Sequence, residues 1–388
     1  MTLLPLDNPI MPYAWGSPTA IPRLLGRENP EGAPWAELWM GAHPKAPSIV
    51  DYRGERWALD ALIDREPGAI LGAAAAARGG GLPFLFKVLA AGSPLSIQCH
   101  PDKAQAAAGF AREEALGIPR DAPNRSYRDA NHKPELIVAL TPFTALKGFR
   151  AVMEIREGLA THVPLALLPE RALLDEPGGL RRFFSALMNL PGERRAAVLE
   201  TALRRSAPGG WVHRLHRYYP GDIGALAPLI LNMVTLQPGE ALFLQARELH
   251  AYLEGVGLEV MANSDNVLRG GLTKKHVDVP ELLSTLNFDP IRPRILSPEP
   301  VGPAEARYDT PAPEFALSVI DLCDGQAFDA PAERGVEILL VVSGAGQAEC
   351  GGASRPIRQG DALLAPASAG AYRLSGEGRV YRVLVERA

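Results

Sequence analysis

Residues 96–103 read Ser96-Ile97-Gln98-Cys99-His100-Pro101-Asp102-Lys103. If this stretch is a strand, its side chains alternate between two faces, so Gln98 and His100 share one face. Ile97 and Cys99 then share the opposite face, which is apolar. The first face carries two side chains that can bind a metal ion. The stretch also fits a strand that ends in a hydrogen-bonded histidine, so a metal site needs partners from elsewhere in the chain.

Two later segments offer those partners. Residues 131–135 read Asn131-His132-Lys133-Pro134-Glu135, and the apolar run 136–140 that follows is typical of a buried strand. Pro134 favours an extended approach to this strand, so Glu135 is expected at its first position. Residues 248–253 contain His250, which would share a strand face with Tyr252. Both segments can therefore turn a ligand toward a common pocket.

The candidate ligands are Gln98, His100, Glu135 and His250. Nitrogen and oxygen ligands without thiolate are typical of a catalytic Zn²⁺, with Mn²⁺ and Fe²⁺ as alternatives. We therefore expect one metal ion per chain, held by side chains from three separate strands. His43 precedes a proline in a predicted turn and is not expected to be a ligand.

Several cations are expected around this metal: Lys87, Lys133, Arg269 and Lys275. The chain as a whole has a formal net charge of −4, so a local group of cations indicates an anionic substrate. A phosphate group would satisfy two or three of them. The sequence therefore favours a phosphorylated small molecule as the substrate.

Composition narrows the class of protein. The chain has 388 residues, 47% hydrophobic and 22% charged, which is typical of a soluble protein with two or three domains. Its weak negative charge gives no general attraction for nucleic acid or for an anionic membrane, so neither is expected as a partner. The longest apolar runs are too short to span a bilayer.

The three cysteines and the N-terminal stretch bear on the compartment. Cys99, Cys323 and Cys350 have no redox or zinc-finger spacing, and we expect them to be reduced. The N-terminal stretch lacks a basic region followed by an apolar core, so no signal peptide is expected. Both features favour the cytoplasm.

The pattern of the chain indicates a mainly β protein. Its 36 Pro and 38 Gly residues favour short strands and many turns. Residues 151–225 differ, because apolar side chains such as those of Leu180, Phe183 and Leu187 recur there at helical spacing. Residues 311–388 alternate apolar and polar positions between glycine-rich turns, which is typical of a separate small β domain.

Six ordered segments together resemble the type I mannose-6-phosphate isomerases (phosphomannose isomerases) of the cupin superfamily. The segments are 83–87, 95–103, 131–135, 149–150, 250–253 and 259–273. The resemblance implies a cupin or jelly-roll catalytic domain made of residues 1–150 and 226–310. It also implies an inserted α-helical domain at 151–225 and a C-terminal cupin-like β domain at 311–388.

The resemblance further implies an activity and a site. Members of this family interconvert mannose 6-phosphate and fructose 6-phosphate, a step of carbohydrate metabolism that leads to GDP-mannose. The implied Zn²⁺ ligands are Gln98, His100, Glu135 and His250, with Arg269 as an active-site residue. A monomer is expected, with a homodimer as the alternative.

The expected reaction moves a proton between C2 and C1 of the open-chain sugar through a cis-enediol. Either Asp265 or His132 is expected to be the base, and the sequence does not choose between them. The metal ion and Arg269 would stabilise the charge that develops on the two sugar oxygens.

The remaining expected roles concern the substrate. Lys133 and Lys275 are expected to hold the phosphate, with Lys87 nearby, and Lys133 is also a catalytic candidate. Ser96 and Tyr252 are expected to contact the substrate.

Two other classes of function remain open from the sequence. Two histidines and one carboxylate are also the ligand set of Fe²⁺ oxygenases, although the group of cations argues against that class. The third possibility is a sugar-binding cupin without catalytic activity, and the candidate proton carriers argue against it.

Overall fold

The computed structural model describes residues 2–79, 81–323 and 325–385. Its strands, in chain order, are β1 (Leu4–Asp7), β2 (Ile10–Met11), β3 (Glu37–Gly41), β4 (Ile49–Tyr52), β5 (Glu55–Ala58), β6 (Phe84–Ala91), β7 (Ile97–Cys99), β8 (Glu135–Ala139), β9 (Phe143–Phe149), β10 (Leu231–Leu236), β11 (Ala241–Leu244), β12 (His250–Ala262), β13 (Leu268–Gly271), β14 (Glu299–Pro300), β15 (Glu305–Tyr308), β16 (Ala316–Leu322), β17 (Phe328–Ala330), β18 (Glu337–Cys350), β19 (Ala353–Arg358), β20 (Ala362–Ala365) and β21 (Tyr372–Leu384).

The α-helices are α1 (Ala20–Leu25), α2 (Leu59–Arg65), α3 (Pro67–Leu71), α4 (Ala73–Arg78), α5 (Lys103–Ala115), α6 (Val152–His162), α7 (Gly179–Met188), α8 (Gly192–Arg205), α9 (Trp211–Tyr218) and α10 (Val279–Thr285). Short 3-10 helices cover Pro169–Asp175, Ile223–Leu229 and Ala367–Ala369. Helices α6 to α9 and two of the 3-10 helices follow one another between β9 and β10 and form a helical segment. The rest of the described chain consists mainly of strands and turns, with shorter helices between them.

Strand β12 organises the ten-stranded sheet that carries the site. Its first residues pair with β7 and β9, and from Gly255 onward it pairs with β6 and β8, in each case antiparallel. Gly255 has a φ of 123°, and a Cβ at this position would lie 2.7 Å from the carbonyl oxygen of Pro142. Only glycine fits this close approach without strain. Strand β12 can therefore pair with β7 and β9 before this glycine and with β6 and β8 after it.

An eleven-stranded antiparallel sheet contains most of the C-terminal strands. It also takes in β1, β4 and β5, since β1 pairs with β20 through the register Leu4↔Leu364. The two sheets share one apolar core, in which Phe86 and Val260 of the first sheet cluster with Leu4 and Ile338 of the second. The first strands of the chain are thus built into the same sheet as the last ones.

The helical segment packs against the apolar face of β7. Leu180, Phe183 and Leu187 of α7 are all buried, so the helical spacing seen in the sequence is confirmed. They belong to one apolar cluster with Ile97 and Cys99, the residues expected on the apolar face of β7. Burial of this face fixes which way β7 presents its polar side chains.

The mainly β fold with helices inserted between strands is confirmed. The domain boundaries at 150, 225 and 310 stay predictions. Within the described ranges, no helix combines the length and the apolar character needed to cross a bilayer.

Candidate metal centre

Residues 96–103 contain the end of strand β7 and the start of helix α5. Strand β7 stops at Cys99, and the carboxylate of Asp102 accepts a hydrogen bond from the backbone N–H of Gln105 at 2.8 Å. The side-chain oxygen of Gln105 accepts the N–H of Asp102 in return, which completes a capping box at the start of α5. His100 is therefore held between two elements whose ends are both fixed.

Three neighbouring strands align side chains on one face of the sheet. Gln98 of β7 lies opposite His250 of β12 on one side and opposite Arg269 of β13 on the other. Side chains that lie directly opposite each other in antiparallel strands project to the same side. Two metal-ligand candidates and a cation thus form a row across the sheet.

His100, Glu135 and His250 come together as a possible metal-binding group. One nitrogen or oxygen from each residue lies within 4.8 Å of the others, and all three residues are buried. The Nε2 atoms of His100 and His250 each lie 3.4 Å from a carboxylate oxygen of Glu135. The structure therefore brings together three of the four ligands expected from the sequence.

Backbone carbonyls orient both imidazoles. The Nδ1 of His100 lies 2.7 Å from the carbonyl oxygen of Asn266, and the Nδ1 of His250 lies 3.0 Å from that of Glu248. Because a carbonyl only accepts, each Nδ1 carries the proton and each Nε2 presents a lone pair toward Glu135. The buried Nε2 of His100 has no hydrogen-bond partner among the described residues. Two imine lone pairs and a carboxylate that face one another suit a bound cation.

Gln98 lies at the same place. Its Nε2 donates to Ser96 Oγ at 3.2 Å, while its amide oxygen has no hydrogen-bond donor among the described residues. Gln98, Ser96, Glu135 and His250 all line one small cavity of about 60 Å³. The fourth ligand expected from the sequence is therefore beside the other three.

Burial and charge set the protonation of the group. Burial, more than the opposing charge of Glu135, lowers the pKa of His100 to about 4. Burial alone would raise the pKa of Glu135, but the charge of Lys133 and the adjacent imidazole of His100 outweigh it and hold that pKa well below its usual value. At neutral pH the group holds a neutral His100 and an ionised Glu135, the forms that bind metal ions.

A buried ion cluster forms the other wall of the cavity. Lys87 Nζ lies 2.9 Å from Glu259 Oε2 and 3.8 Å from Glu37 Oε1, and all three side chains are buried. Burial would lower the pKa of Lys87, yet the charges of Glu259 and Glu37 together raise it well above its usual value. Lys87 is therefore a permanent cation, already neutralised by protein carboxylates.

Two further expected contacts line this cavity. Lys133 Nζ lies 3.1 Å from Glu135 Oε1, so its charge favours the ionised form of this metal-ligand candidate. Tyr252 is buried, and its hydroxyl has no hydrogen-bond partner in the described part of the chain. Burial, and then the charge of Glu259, raise the pKa of Tyr252 well above its usual value, so the hydroxyl stays a neutral donor.

The two candidate bases lie outside the lining of this cavity. Asp265 lines a larger neighbouring cavity of about 740 Å³, with its carboxylate 2.8 Å from Lys45 Nζ and 3.7 Å from His43 Nε2. Burial would raise the pKa of Asp265, but Lys45 outweighs it and lowers that pKa. His132 Nε2 lies 2.6 Å from Glu314 Oε1.

Arg269 and Lys275 differ from these paired groups. In the ranges that the structure covers, no carboxylate lies within ion-pair distance of either one, which leaves both charges available to an anion. Burial lowers the pKa of each. Both remain protonated at neutral pH, because the usual values of these groups are far higher.

Several residues of this region were missed in the sequence. Glu37 and Glu259 lie beside Lys87, and His43 lies beside Asp265. From the sequence, His43 is not expected in the site because a proline follows it in a predicted turn. Glu259 lies opposite Lys87 in the register of β12 and β6, a pairing between distant segments that no local pattern reveals. The only available signal was a charged residue inside an otherwise apolar strand.

The chain also matches known proteins. A family model, phosphomannose isomerase type I catalytic domain, matches residues 3–152. Mannose-6-phosphate isomerase of Escherichia coli (strain K12) is 43% identical over 387 residues, covering 97% of this chain and 98% of that protein. The chain belongs to the type I phosphomannose isomerase family. The resemblance seen in the sequence is thereby confirmed.

More distant relatives and solved structures agree. Mannose-6-phosphate isomerase of Homo sapiens is 37% identical over 356 residues, covering 81% of each chain. A point mutant of phosphomannose isomerase from Salmonella typhimurium superposes with a TM-score of 0.94 at 41% identity, and a zinc-bound mannose 6-phosphate isomerase does so with 0.93 at 42%. Each structural match covers 100% of both chains. The fold of these two solved structures therefore extends over the whole length of this chain.

Proposed function

We propose that this protein interconverts mannose 6-phosphate and fructose 6-phosphate, with one Zn²⁺ bound per chain. The observation that carries the proposal is the convergence of His100, Glu135 and His250 within 4.8 Å, beside a cavity whose lining includes Lys87 and Lys133. Curated relatives that match nearly the full chain are named mannose-6-phosphate isomerase, and one solved relative is described as zinc bound.

The donor set fits Zn²⁺. Two imidazole nitrogens, a carboxylate and a weak amide oxygen from Gln98 match the nitrogen and oxygen ligands of catalytic zinc. The free Nε2 of His100, buried without a hydrogen-bond partner in the described chain, supports a cation between the three side chains. When bound, the ion would polarise the oxygens of the sugar.

The reaction that we propose is a proton transfer in the open-chain sugar. A base removes the proton at C2 while the C1 oxygen gains a proton, which gives the cis-enediol. The proton then returns at C1 as the C2 hydroxyl loses its proton and becomes the carbonyl of the ketose. Asp265 and His132 remain the two candidate bases. The ionised state of Asp265 supports the first, and the short contact of His132 with Glu314, which can orient the imidazole, supports the second.

Fixed positive charge would stabilise the enediol. Arg269 shares a face with Gln98, one strand away, so its charge can act on the oxygens at C1 and C2. Lys133 lines the inner cavity, where it can face the sugar as well as Glu135. Ser96 and Tyr252 offer hydroxyl groups to the sugar in the same cavity.

The phosphate would lie at the end of the row away from His250. His250, Gln98 and Arg269 span two strand spacings, roughly 10 Å, which leaves room for an extended sugar phosphate. Lys275, beyond Arg269, lacks a carboxylate partner in the described residues and is the proposed phosphate ligand. Lys87 contributes fixed charge from the cavity wall, because Glu259 and Glu37 already hold it.

A coupled assay on mannose 6-phosphate tests this proposal when metal content is measured on the same sample. We expect activity to fall with zinc content during dialysis against a strong chelator and to return when Zn²⁺ is added. Full activity in a sample shown to be free of metal would refute the zinc role. No conversion by the zinc-loaded protein would refute the isomerase activity.

A further inference from the structure

A short loop beside the metal centre has its backbone held from both sides. Buried Glu113 accepts the N–H groups of residues 126 and 127, at 3.1 and 2.8 Å. The Oδ1 of Asn266 accepts the N–H groups of the next two residues, Arg128 at 2.7 Å and Asp129 at 3.2 Å. Four consecutive N–H groups are thus fixed by two buried side chains. The loop presents Arg128 in one defined place.

The same Asn266 connects this loop to the metal centre. It is fully buried, and its own backbone carbonyl accepts the Nδ1 of the ligand candidate His100 at 2.7 Å. Its side-chain Nδ2 donates to the backbone carbonyls of Asp129 and Asn131, each at 2.8 Å. The backbone of Arg128 is therefore tied to the imidazole of His100 through a single residue.

The guanidinium of Arg128 has no protein partner in the described part of the chain. It is half-buried and lines the larger cavity, yet within the described ranges it has neither an ion-pair partner nor a hydrogen bond. Other arginines around this loop are engaged, since Arg112 pairs with Glu281 and Arg120 with Glu114. An arginine whose backbone is fixed, and whose guanidinium has no partner in the described part of the chain, is available to a ligand.

Arg128 also lies within electrostatic range of two cations, Arg269 and Lys275, that have no carboxylate partner among the described residues. After burial, its charge is a cause of the lowered pKa of Arg269, and it contributes in the same way at Lys275. Lys45 lies near Lys275 as well, but its charge is engaged by Asp265 at 2.8 Å. Three like charges that repel one another without a counter-ion are stabilised when an anion lies between them.

We propose that Arg128 is a phosphate-binding residue, which binds the phosphate of the sugar together with Lys275, on the side of Arg269 away from the metal centre, and so determines the preference for phosphorylated sugars. The inference rests on the proposed function and adds a residue that the sequence did not single out. A guanidinium can donate two parallel hydrogen bonds to a phosphate, a geometry that lysine does not offer.

The test compares R128Q with a matched control, R120Q. Arg120 lines the same cavity of about 740 Å³ and carries the same charge, but it is paired with Glu114. In R128Q we expect the KM for mannose 6-phosphate to rise about tenfold with kcat nearly unchanged, because uniform binding is lost. Inhibition by inorganic phosphate should weaken to a similar degree, and R120Q should leave both quantities near the wild-type values.

Two further measurements separate binding from structure. Zinc content and melting temperature of R128Q should equal those of the wild type, because only backbone atoms of Arg128 hold the loop. R128K should recover part of the phosphate affinity, since it restores the charge but not the paired hydrogen bonds. A fall of zinc content or melting temperature that accounts for the lost activity would overturn the proposal in favour of a structural role.

The remaining outcomes distinguish this inference from the proposed function. If the wild type isomerises mannose 6-phosphate and R128Q matches R120Q in KM and phosphate inhibition, Arg128 is not a phosphate ligand and the proposed function stands. If the wild type does not isomerise the sugar, the proposed function fails. Calorimetric titration of inorganic phosphate into wild type, R128Q and R120Q then still decides whether Arg128 binds phosphate.

Discussion

Replacing Lys87 with methionine tests the buried ion cluster beside the metal centre. Methionine keeps most of the length and apolar stem of lysine but removes the charge that faces Glu259 at 2.9 Å and Glu37 at 3.8 Å. The lysine and both glutamates have side chains no more than 8% exposed. Two carboxylates would therefore remain in the interior without their common partner.

The expected cost follows from this burial. Removing one partner of a buried ion pair destabilises a protein by about 3–5 kcal/mol, because the remaining charge stays buried and unpaired. K87M should lose a free energy of unfolding in this range. The double variant K87M/E259Q should recover a large part of it, since it also removes one of the stranded charges.

The cost should also depend on pH. Burial already raises the pKa of Glu37, and Lys87 is the largest opposing cause, so K87M should raise that pKa further. A carboxyl group whose folded pKa exceeds its unfolded value stabilises the fold at low pH and loses that contribution as the pH rises through the folded value. The deficit of K87M relative to wild type should therefore be smallest near pH 4 and should grow toward neutral pH.

Urea unfolding followed by tryptophan fluorescence measures this deficit, because Trp39 donates a hydrogen bond to Glu37 and lies beside Lys87. K274M is the matched control, since Lys274 is exposed, and it should unfold like the wild type. The reasoning is wrong if K87M and K274M have the same stability at pH 8. It is also wrong if E259Q brings no recovery.

Four other variants probe the site and its support. D265N and H132N should separate the candidate bases, because loss of the true base lowers kcat by about 100-fold or more at unchanged zinc content; equal small effects in both would exclude each as the base. N266A should weaken zinc binding by about 10–100-fold in a competition titration with a chelating dye, since the contacts that orient His100 are disturbed; unchanged affinity would contradict this role. I97A should cost about 2–5 kcal/mol in unfolding free energy while zinc affinity stays the same, because Ile97 packs on the helical segment and faces away from the metal; a stable variant that fails to bind zinc would reverse that assignment.

The sequence predicted what depends on local pattern. Alternation along residues 97–100 separated the apolar face of β7 from its polar face, and helical spacing identified α7. Ligand chemistry then selected His100, Glu135 and His250 from distant segments, and the structure brings these three together. Each of these inferences needed only residue type and spacing within a short stretch.

What the sequence did not reveal depends on long-range register. The pairing of Glu259 with Lys87 joins strands far apart in the chain, and no spacing rule connects them. The sequence does not single out Arg128, because its proposed role depends on having no partner among the described residues while the loop around it is fixed. The contact between His132 and Glu314 likewise joins segments that local patterns treat as unrelated.

The pairing of β1 with β20 has a consequence for biosynthesis. The ribosome releases β1 early, but its partner β20 lies near the opposite end of the sequence and emerges much later. Until then β1 can pair with β4 alone, and the edge that β20 later covers has open hydrogen-bonding groups, the kind of edge that invites aggregation. Closure of the second sheet therefore waits until β20 has been synthesised, and chaperones that shield the open edge of β1 should raise the yield of folded protein.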